Sequence, residues 1–250
     1  MIIDVPRNTS QLRDLWKQAF GDTDAFLDCF FETAYSPNRC RCVYQGDTLA
    51  AMLYWFDCTW EGKKLAYLYA VATDDRFRGQ GFCRALMENT HRHLASLGYY
   101  GCVLVPRTAD LFAMYGKLGY RTFCYVNQFS CKAEPSPVTL RPVTAQEYMA
   151  LRRDMLPENA VTQEGATIDL LASYAGLYAG DGLLLAGYTE NGIFTACELL
   201  SDPAVAPGIL AALGVPQGKF RTPVGQTPFA MYHALAGDPA LPGYLGLALD

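Results

Sequence analysis

Arg76-Phe77-Arg78-Gly79-Gln80-Gly81 is the stretch on which the reading of this chain turns. It follows an apolar, strand-like run, Leu65 to Val71, and opens a helical pattern, Phe82 to Leu97. In that pattern Phe82, Leu86, Thr90, Leu94 and Leu97 recur at helical spacing, as a face packed on a sheet requires. Two close glycines let the backbone turn without a Cβ in the way, so several N–H groups can face one concavity. The helix that begins there adds free amide donors and the positive end of its dipole. Arg76 and Arg78 put full charges beside them, and the whole arrangement suits a pyrophosphate. A dinucleotide fingerprint would want a third glycine where Arg84 stands, and a Walker loop would end in Gly-Lys-Ser/Thr.

The elements around the loop can be read outward from it. Downstream, Tyr99 to Val105 reads as a short buried strand, Ala109 to Lys117 as a short helix, and Arg121 to Ser130 as a further strand. Gly119 stands where the helix must stop and turn back, a position that favours φ > 0. Upstream come a strand at Ile2 to Val5 and a helix from Ser10 to Phe20 with Thr9 or Ser10 as N-cap. A second helix, Asp24 to Ala34, follows behind Asp22 and Thr23, with Phe26, Phe30 and Phe31 as an apolar stripe. Strands at Cys40 to Gln45 and Thr48 to Cys58 are joined by Gly46-Asp47 as a hairpin turn.

Arg76-x-x-Gly79-x-Gly81 resembles the Arg/Gln-x-x-Gly-x-Gly/Ala loop of the GNAT superfamily, and Phe112, Tyr115, Gly119 and Tyr120 resemble that family's later helix and Gly-Tyr turn. The resemblance covers residues 1–133 in the family's own order of elements. It implies an α/β (α+β) fold with a mixed, largely antiparallel twisted sheet flanked by helices. It also implies an N-acetyltransferase that moves an acetyl group from acetyl-coenzyme A, a cosubstrate, to a primary amine. In such a protein the backbone of Val71 to Thr73 would pair with the pantetheine arm and offer an N–H to the thioester oxygen. Arg76, Arg78, Gly79, Gln80, Gly81, Phe82 and Cys83 would hold the pyrophosphate, and Tyr115 would reprotonate the departing thiolate. Family members often carry a glutamate on the strand before the loop; here that strand has Tyr67 and Tyr69. Asp57, Glu61, the terminal carboxylate of Asp250 and a water relay are the alternatives, and the base stays unassigned.

Ala133-Glu134-Pro135-Ser136-Pro137 reads as a linker, which gives domains at 1–133 and 138–250 joined by residues 134–137. Val138 to Pro142 resembles a new opening strand, Thr144 caps a helix, and strands at Leu183 to Tyr188 and Gly192 to Leu200 precede a helix at Ala204 to Leu213. Phe112-Ala113-Met114-Tyr115 recurs as Phe229-Ala230-Met231-Tyr232, each copy after a strand and a proline-containing turn, which predicts a repeat with both copies in one structural slot. The region after the second copy's strand, Ser201 to Gly208, has no arginine and only one glycine, and Asp202 would repel a pyrophosphate. Residues 138–250 therefore read as a degenerate GNAT-like half, an arrangement similar to acetyltransferases of the enhanced-intracellular-survival type.

Composition narrows the remaining classes. The 250 residues are 51% hydrophobic, enough for one large core or two small ones. No apolar run is long enough to cross a membrane and Met1-Ile2-Ile3-Asp4 turns polar at once, so a cytoplasmic protein with nine reduced cysteines is expected. Cys40-Arg41-Cys42 is the one close pair and the three histidines are scattered, so no metal is expected. Residues 1–137 hold 15 basic against 14 acidic side chains and residues 138–250 hold 5 against 11, which speaks against nucleic acid. The expected partner is a small-molecule amine or a peptide amine, with a homodimer left open. A non-catalytic acyl-CoA-binding or regulatory module and a cofactor-free scaffold are the rival readings.

Overall fold

The structure, a computed structural model, describes residues 2–237 and 240–249. Thirteen strands, β1 to β13, are Ile2–Asp4, Cys40–Gln45, Thr48–Trp60, Lys63–Thr73, Gly101–Leu104, Arg121–Lys132, Arg141–Pro142, Thr162–Gln163, Gly176–Gly180, Leu183–Glu190, Ile193–Leu200, Gln217–Pro223 and Thr227–Ala234. Helices α1 to α7 are Thr9–Phe20, Asp24–Thr33, Phe82–Ser96, Ala109–Gly116, Ala145–Met155, Ala166–Tyr174 and Ala206–Leu213. Backbone contacts divide the described residues into two compact units, one within Met1–Arg121 and Met231–Ala240, the other within Thr122–Ala230 and Leu241–Asp250. This division differs from the one at 134–137 because each half of the chain gives a strand to the other unit's sheet.

In the first unit β1, β2, β3 and β4 pair antiparallel in sequence order. β5 then adds parallel to β4, and Met231–Ala234 of β13 adds antiparallel to β5. α1 begins one residue earlier than the sequence suggested. Asn8, rather than Thr9 or Ser10, is its N-cap, its carboxamide oxygen accepting from the Gln11 N–H at 2.9 Å. Thr23 and Thr108 cap α2 and α4 in the same way. The period-3.6 face of α3 (Phe82, Leu86, Met87, Thr90, Leu94) is buried against Leu53, Trp55, Ala66 and Leu68 of the sheet.

The second unit repeats that plan. β7, β9, β10 and β11 pair antiparallel, β12 adds parallel to β11, and β6 adds antiparallel to β12. α5 and α6 occupy the chain positions of α1 and α2, and α7 that of α3. The lobe is GNAT-like in this topology, and the recurring tetrapeptide plays no part in the likeness. Phe112 to Tyr115 lies in α4, whereas Phe229 to Tyr232 lies in strand β13. Tertiary packing decides between the two: the Tyr232 ring lies so close to Gly101 that a Cβ there would meet it at 2.3 Å. No helix stands between β12 and β13, which are joined through Val224 at φ 58°.

Candidate functional site

β4 leaves its parallel neighbour part-way along its length. Its ladder with β5 runs from Leu65↔Gly101 to Tyr67↔Val103, yet the strand continues to Thr73, still paired on its other side with Ala51 of β3. Tyr69 faces Tyr54 and Ala72 faces Met52, so Ala70 and Val71 together stand opposite Leu53. This is a β-bulge, and Ala70 has φ 50°. A non-glycine residue in that region costs about 1–2 kcal/mol, strain of the kind found where backbone groups are re-aimed for a function. Between Leu68 and Thr73 the edge of β4 that faces β5 is therefore open to pair with an amide-bearing chain.

The loop follows directly. Asp74 N–H donates to the Ala50 carbonyl at 2.9 Å, which anchors the loop to β3. The Asp74 carboxylate accepts from the Arg76 N–H at 2.9 Å, from Nε at 3.0 Å and from Nη2 at 2.7 Å. Hydrogen bonding from Arg76 outweighs burial and holds the Asp74 carboxyl below its usual range. Arg78 pairs with Asp75 at 2.6 Å, and Gln80 Nε2 donates to the Arg76 carbonyl at 2.9 Å. Both arginines are thus held by carboxylates of the loop itself. The signal was the Asp74-Asp75 pair just before them, whose charges the sequence reading left out.

With the side-chain charges paired off locally, backbone donors become the main attraction for an anion. Gly79 and Gly81 have φ 73° and 83°, and a Cβ built on either would meet nothing within 4 Å. Their requirement for glycine is conformational, and the space before them is free for a ligand. Gly81 caps α3 without a side-chain acceptor, so the amides of Phe82, Cys83 and Arg84 have no partner within the helix. A glycine cradle with converging N–H groups fits a pyrophosphate.

Tyr115 sits on α4 beside that first turn. It is 6% exposed and packs edge-on to Tyr120 at 5.7 Å. Burial, and secondarily the Cys83 thiol, raise its phenol well above the usual range. Cys83 in turn is hydrogen-bonded to Thr73, and burial raises its own thiol. Thr73, Cys83 and Tyr115 are thereby brought together at the end of β4. Tyr115 is therefore firmly protonated, and a weaker acid than a free tyrosine.

The carboxylates considered for the base lie elsewhere. Asp57 is 2.5 Å from Arg39 Nη2 and accepts from the Tyr99 hydroxyl, opposite Ala66 in the ladder. Glu61 stands in the β3–β4 turn beside Lys63. Asp250 lies outside the described residues. Tyr67 and Tyr69 join an aromatic cluster with Trp16, Phe30 and Phe56. Next to it an apolar cleft, lined by Trp16, Phe30, Phe31, Tyr35, Tyr54 and the bulge residue Ala70, encloses about 10 Å³, room for about one water.

Asp202, at the second unit's counterpart of the loop, caps the turn before α7 by accepting from the Ala204 N–H at 2.8 Å. Among the described residues no cluster of three or more His, Cys, Asp or Glu is placed to hold a metal, and no helix is long and apolar enough to cross a membrane. All nine cysteines are free thiols.

Residues 6–123 match the family model described as an acetyltransferase (GNAT) domain. No curated protein matches the chain. Among solved structures, a GCN5-related N-acetyltransferase from Anabaena variabilis is similar with a TM-score of 0.72 at 16% identity, over 94% of this chain and 73% of that one. Eis1 from Mycobacterium abscessus gives 0.68 at 10% identity over 94% and 74%. A tandem GNAT protein from the clavulanic acid biosynthesis pathway gives 0.61 at 10% identity, over 95% of this chain and all of that one (100%). At these identities the likeness is one of fold.

Proposed function

We propose, from the premise that this chain belongs to the GNAT superfamily through the acetyltransferase domain at residues 6–123, that it transfers the acetyl group of acetyl-coenzyme A to a primary amine. The observation that carries this reading is the conjunction of the splayed β4 edge, its bulge at Ala70 and the Gly79/Gly81 cradle at the start of α3. The cosubstrate supplies a thioester carbonyl. Amides from Gly79 to Cys83 hold its pyrophosphate, and the β4 edge between Val71 and Thr73 pairs with its amide-rich arm. An N–H re-aimed by the bulge donates to the carbonyl oxygen as the amine nitrogen attacks and charge builds there. The C–N bond forms as the amine nitrogen gives up a proton through water, the C–S bond breaks, and Tyr115 donates its hydroxyl proton to the departing sulfur and is reprotonated from solvent. Its raised pKa keeps that proton in place until the thiolate appears. Asp74 and Asp75 act as positioning residues, fixing Arg76 and Arg78 at the rim of the cradle.

The ion-paired state of Asp57 and the tyrosines at positions 67 and 69 favour a second reading, an acyl-CoA-binding module without turnover. Calorimetric titration with acetyl-coenzyme A, together with thiol release over a panel of amines, separates the readings. Acetyl transfer predicts micromolar binding, its loss in Gly81→Glu, and thiol release with at least one amine. Binding without release supports the module. Absence of binding in the wild-type protein overturns both.

A further inference from the structure

Within Leu241–Leu249, the stretch from Tyr244 on is buried although it belongs to no helix or sheet. Tyr244, Leu245, Leu247, Ala248 and Leu249 are all 4% exposed or less, and the segment's regular pairing is a single bridge between Tyr244 and Ala160. The second unit reads its backbone group by group. Val161 N–H donates to the Tyr244 carbonyl at 2.7 Å, Gly243 N–H donates to the Asn159 carbonyl at 2.7 Å, and Asn159 Nδ2 donates to the Leu241 carbonyl at 3.1 Å. The buried Gln163 carboxamide donates to the Leu247 carbonyl at 2.6 Å and accepts from its N–H at 3.2 Å. Cys124 Sγ lies 3.4 Å from both the N–H and the carbonyl of Leu245. Side chains here do what a neighbouring strand would otherwise do.

Two side-chain positions are read as well. The Tyr244 hydroxyl donates to Glu198 Oε1 at 3.0 Å. Glu198 is fully buried and accepts from Arg152 Nε at 2.6 Å, from Arg152 Nη2 at 3.0 Å and from the Tyr148 hydroxyl at 3.3 Å. Gly246 passes so close to this carboxylate that a Cβ would stand 1.6 Å from Oε1. Burial, then Glu198, holds the Tyr244 phenol far above its usual range, so it stays a donor.

The position of this carboxylate in the fold gives the arrangement its meaning. Ala186 faces Glu198 and Gly187 faces Ala196, so β11 bulges at Cys197. This is the second unit's counterpart of the irregularity in β4. Arg152 stands eight residues after the N-cap Thr144, as Trp16 stands eight residues after the N-cap Asn8. The segment therefore crosses the second unit where the first has its aromatic cleft.

We propose that the second unit is a peptide-binding module whose cleft holds residues 241–249 as a ligand bound in cis. The ligand class is an extended apolar peptide with the pattern Tyr-x-Gly-Leu, in which Tyr244 reaches Glu198, Gly246 clears it and Leu247 is held by Gln163. The inference is independent of acyl transfer.

The test uses the full chain with a protease site placed in the exposed stretch around Ala236 and Gly237, cut after folding. A fluorescent synthetic copy of residues 241–250 is then added and its anisotropy followed. The expected result is saturable exchange, with a Gly246→Val peptide binding at least about 100-fold more weakly and a Tyr244→Phe peptide about 10-fold more weakly. Loss of the folded signal on cutting would make the segment an element of the core and overturn the proposal. So would failure of the labelled copy to exchange, or equal binding by the Gly246→Val peptide.

Discussion

Tyr115 holds its proton because burial disfavours the phenolate, and that fixes what it can do: donate late in the reaction, and never serve as base at neutral pH. Tyr115→Phe is expected to lower kcat about 100-fold, with acetyl-coenzyme A affinity within about twofold, since the hydroxyl meets only the departing sulfur. Steady-state kinetics beside calorimetry reads both quantities, and an unchanged kcat would remove the assignment. His91 gives a second prediction at this scale. Its Nε2 lies 2.7 Å from the Tyr120 hydroxyl and its ring stacks on His233 at 4.3 Å. Burial, then His233 and Arg92, pull its pKa from 6.5 down to about 3. Above pH 6.5 the imidazole is neutral folded or unfolded. Below it, the unfolded chain takes up a proton that the folded one refuses, so stability falls by about 1.4 kcal/mol per pH unit until the folded pKa is passed. Unfolding free energies from urea titrations at pH 7 and pH 5 should differ by about 2 kcal/mol from this residue, and His91→Gln should remove that part of the slope. Nothing in the sequence brought His91 and His233, 142 positions apart, to one place. The place of Tyr115 on the short helix α4, by contrast, was legible in a local pattern.

Elements were legible where their signals are local, and illegible where packing decides. The Gly79/Gly81 turn was readable because positive φ demands glycine at short spacing, and α2 and α5 because threonine caps announce them. The bulge in β4 was not readable, because an alanine occupies the strained position. Ala70→Gly should relieve that strain and raise unfolding stability by about 0.5–1 kcal/mol in denaturant titration, whereas a neighbouring Ala72→Gly should lower it. Phe-Ala-Met-Tyr shows the limit most sharply. The four residues form a helical turn where Thr108 caps them, and a buried strand where Gly101 leaves room for Tyr232.

At the scale of the molecule, the sequence disclosed two similar halves but not that they trade strands. Leaving aside the two-residue β8, each unit has five strands of its own half and a sixth from the other, β13 in the first unit and β6 in the second. The linker at 134–137 remains a composition boundary, and the compact units ignore it. Residues 1–133 produced alone would leave the β5 edge bare, an invitation to wrong pairing. The expected outcome is aggregation or dimerisation by size-exclusion chromatography, and recovery of monodisperse protein when residues 134–250 are co-expressed. A soluble, monomeric, cooperatively unfolding 1–133 fragment would show that the sixth strand is dispensable.

The exchange also sets an order in time. A ribosome makes about 5–20 residues each second, so about 130 residues separate the completion of β5 from the arrival of its last neighbour, a wait of about 6–25 s. During that interval the glycine cradle and the β4 bulge sit on a sheet that is not yet closed, while β6 waits for β12. The second unit's sheet has all six of its strands once Pro223 is made, whereas the first unit's sheet still waits for Met231. A nascent chain that stalls before Met231 leaves the first unit's sheet one strand short, so completion of the first half is gated by translation of the second.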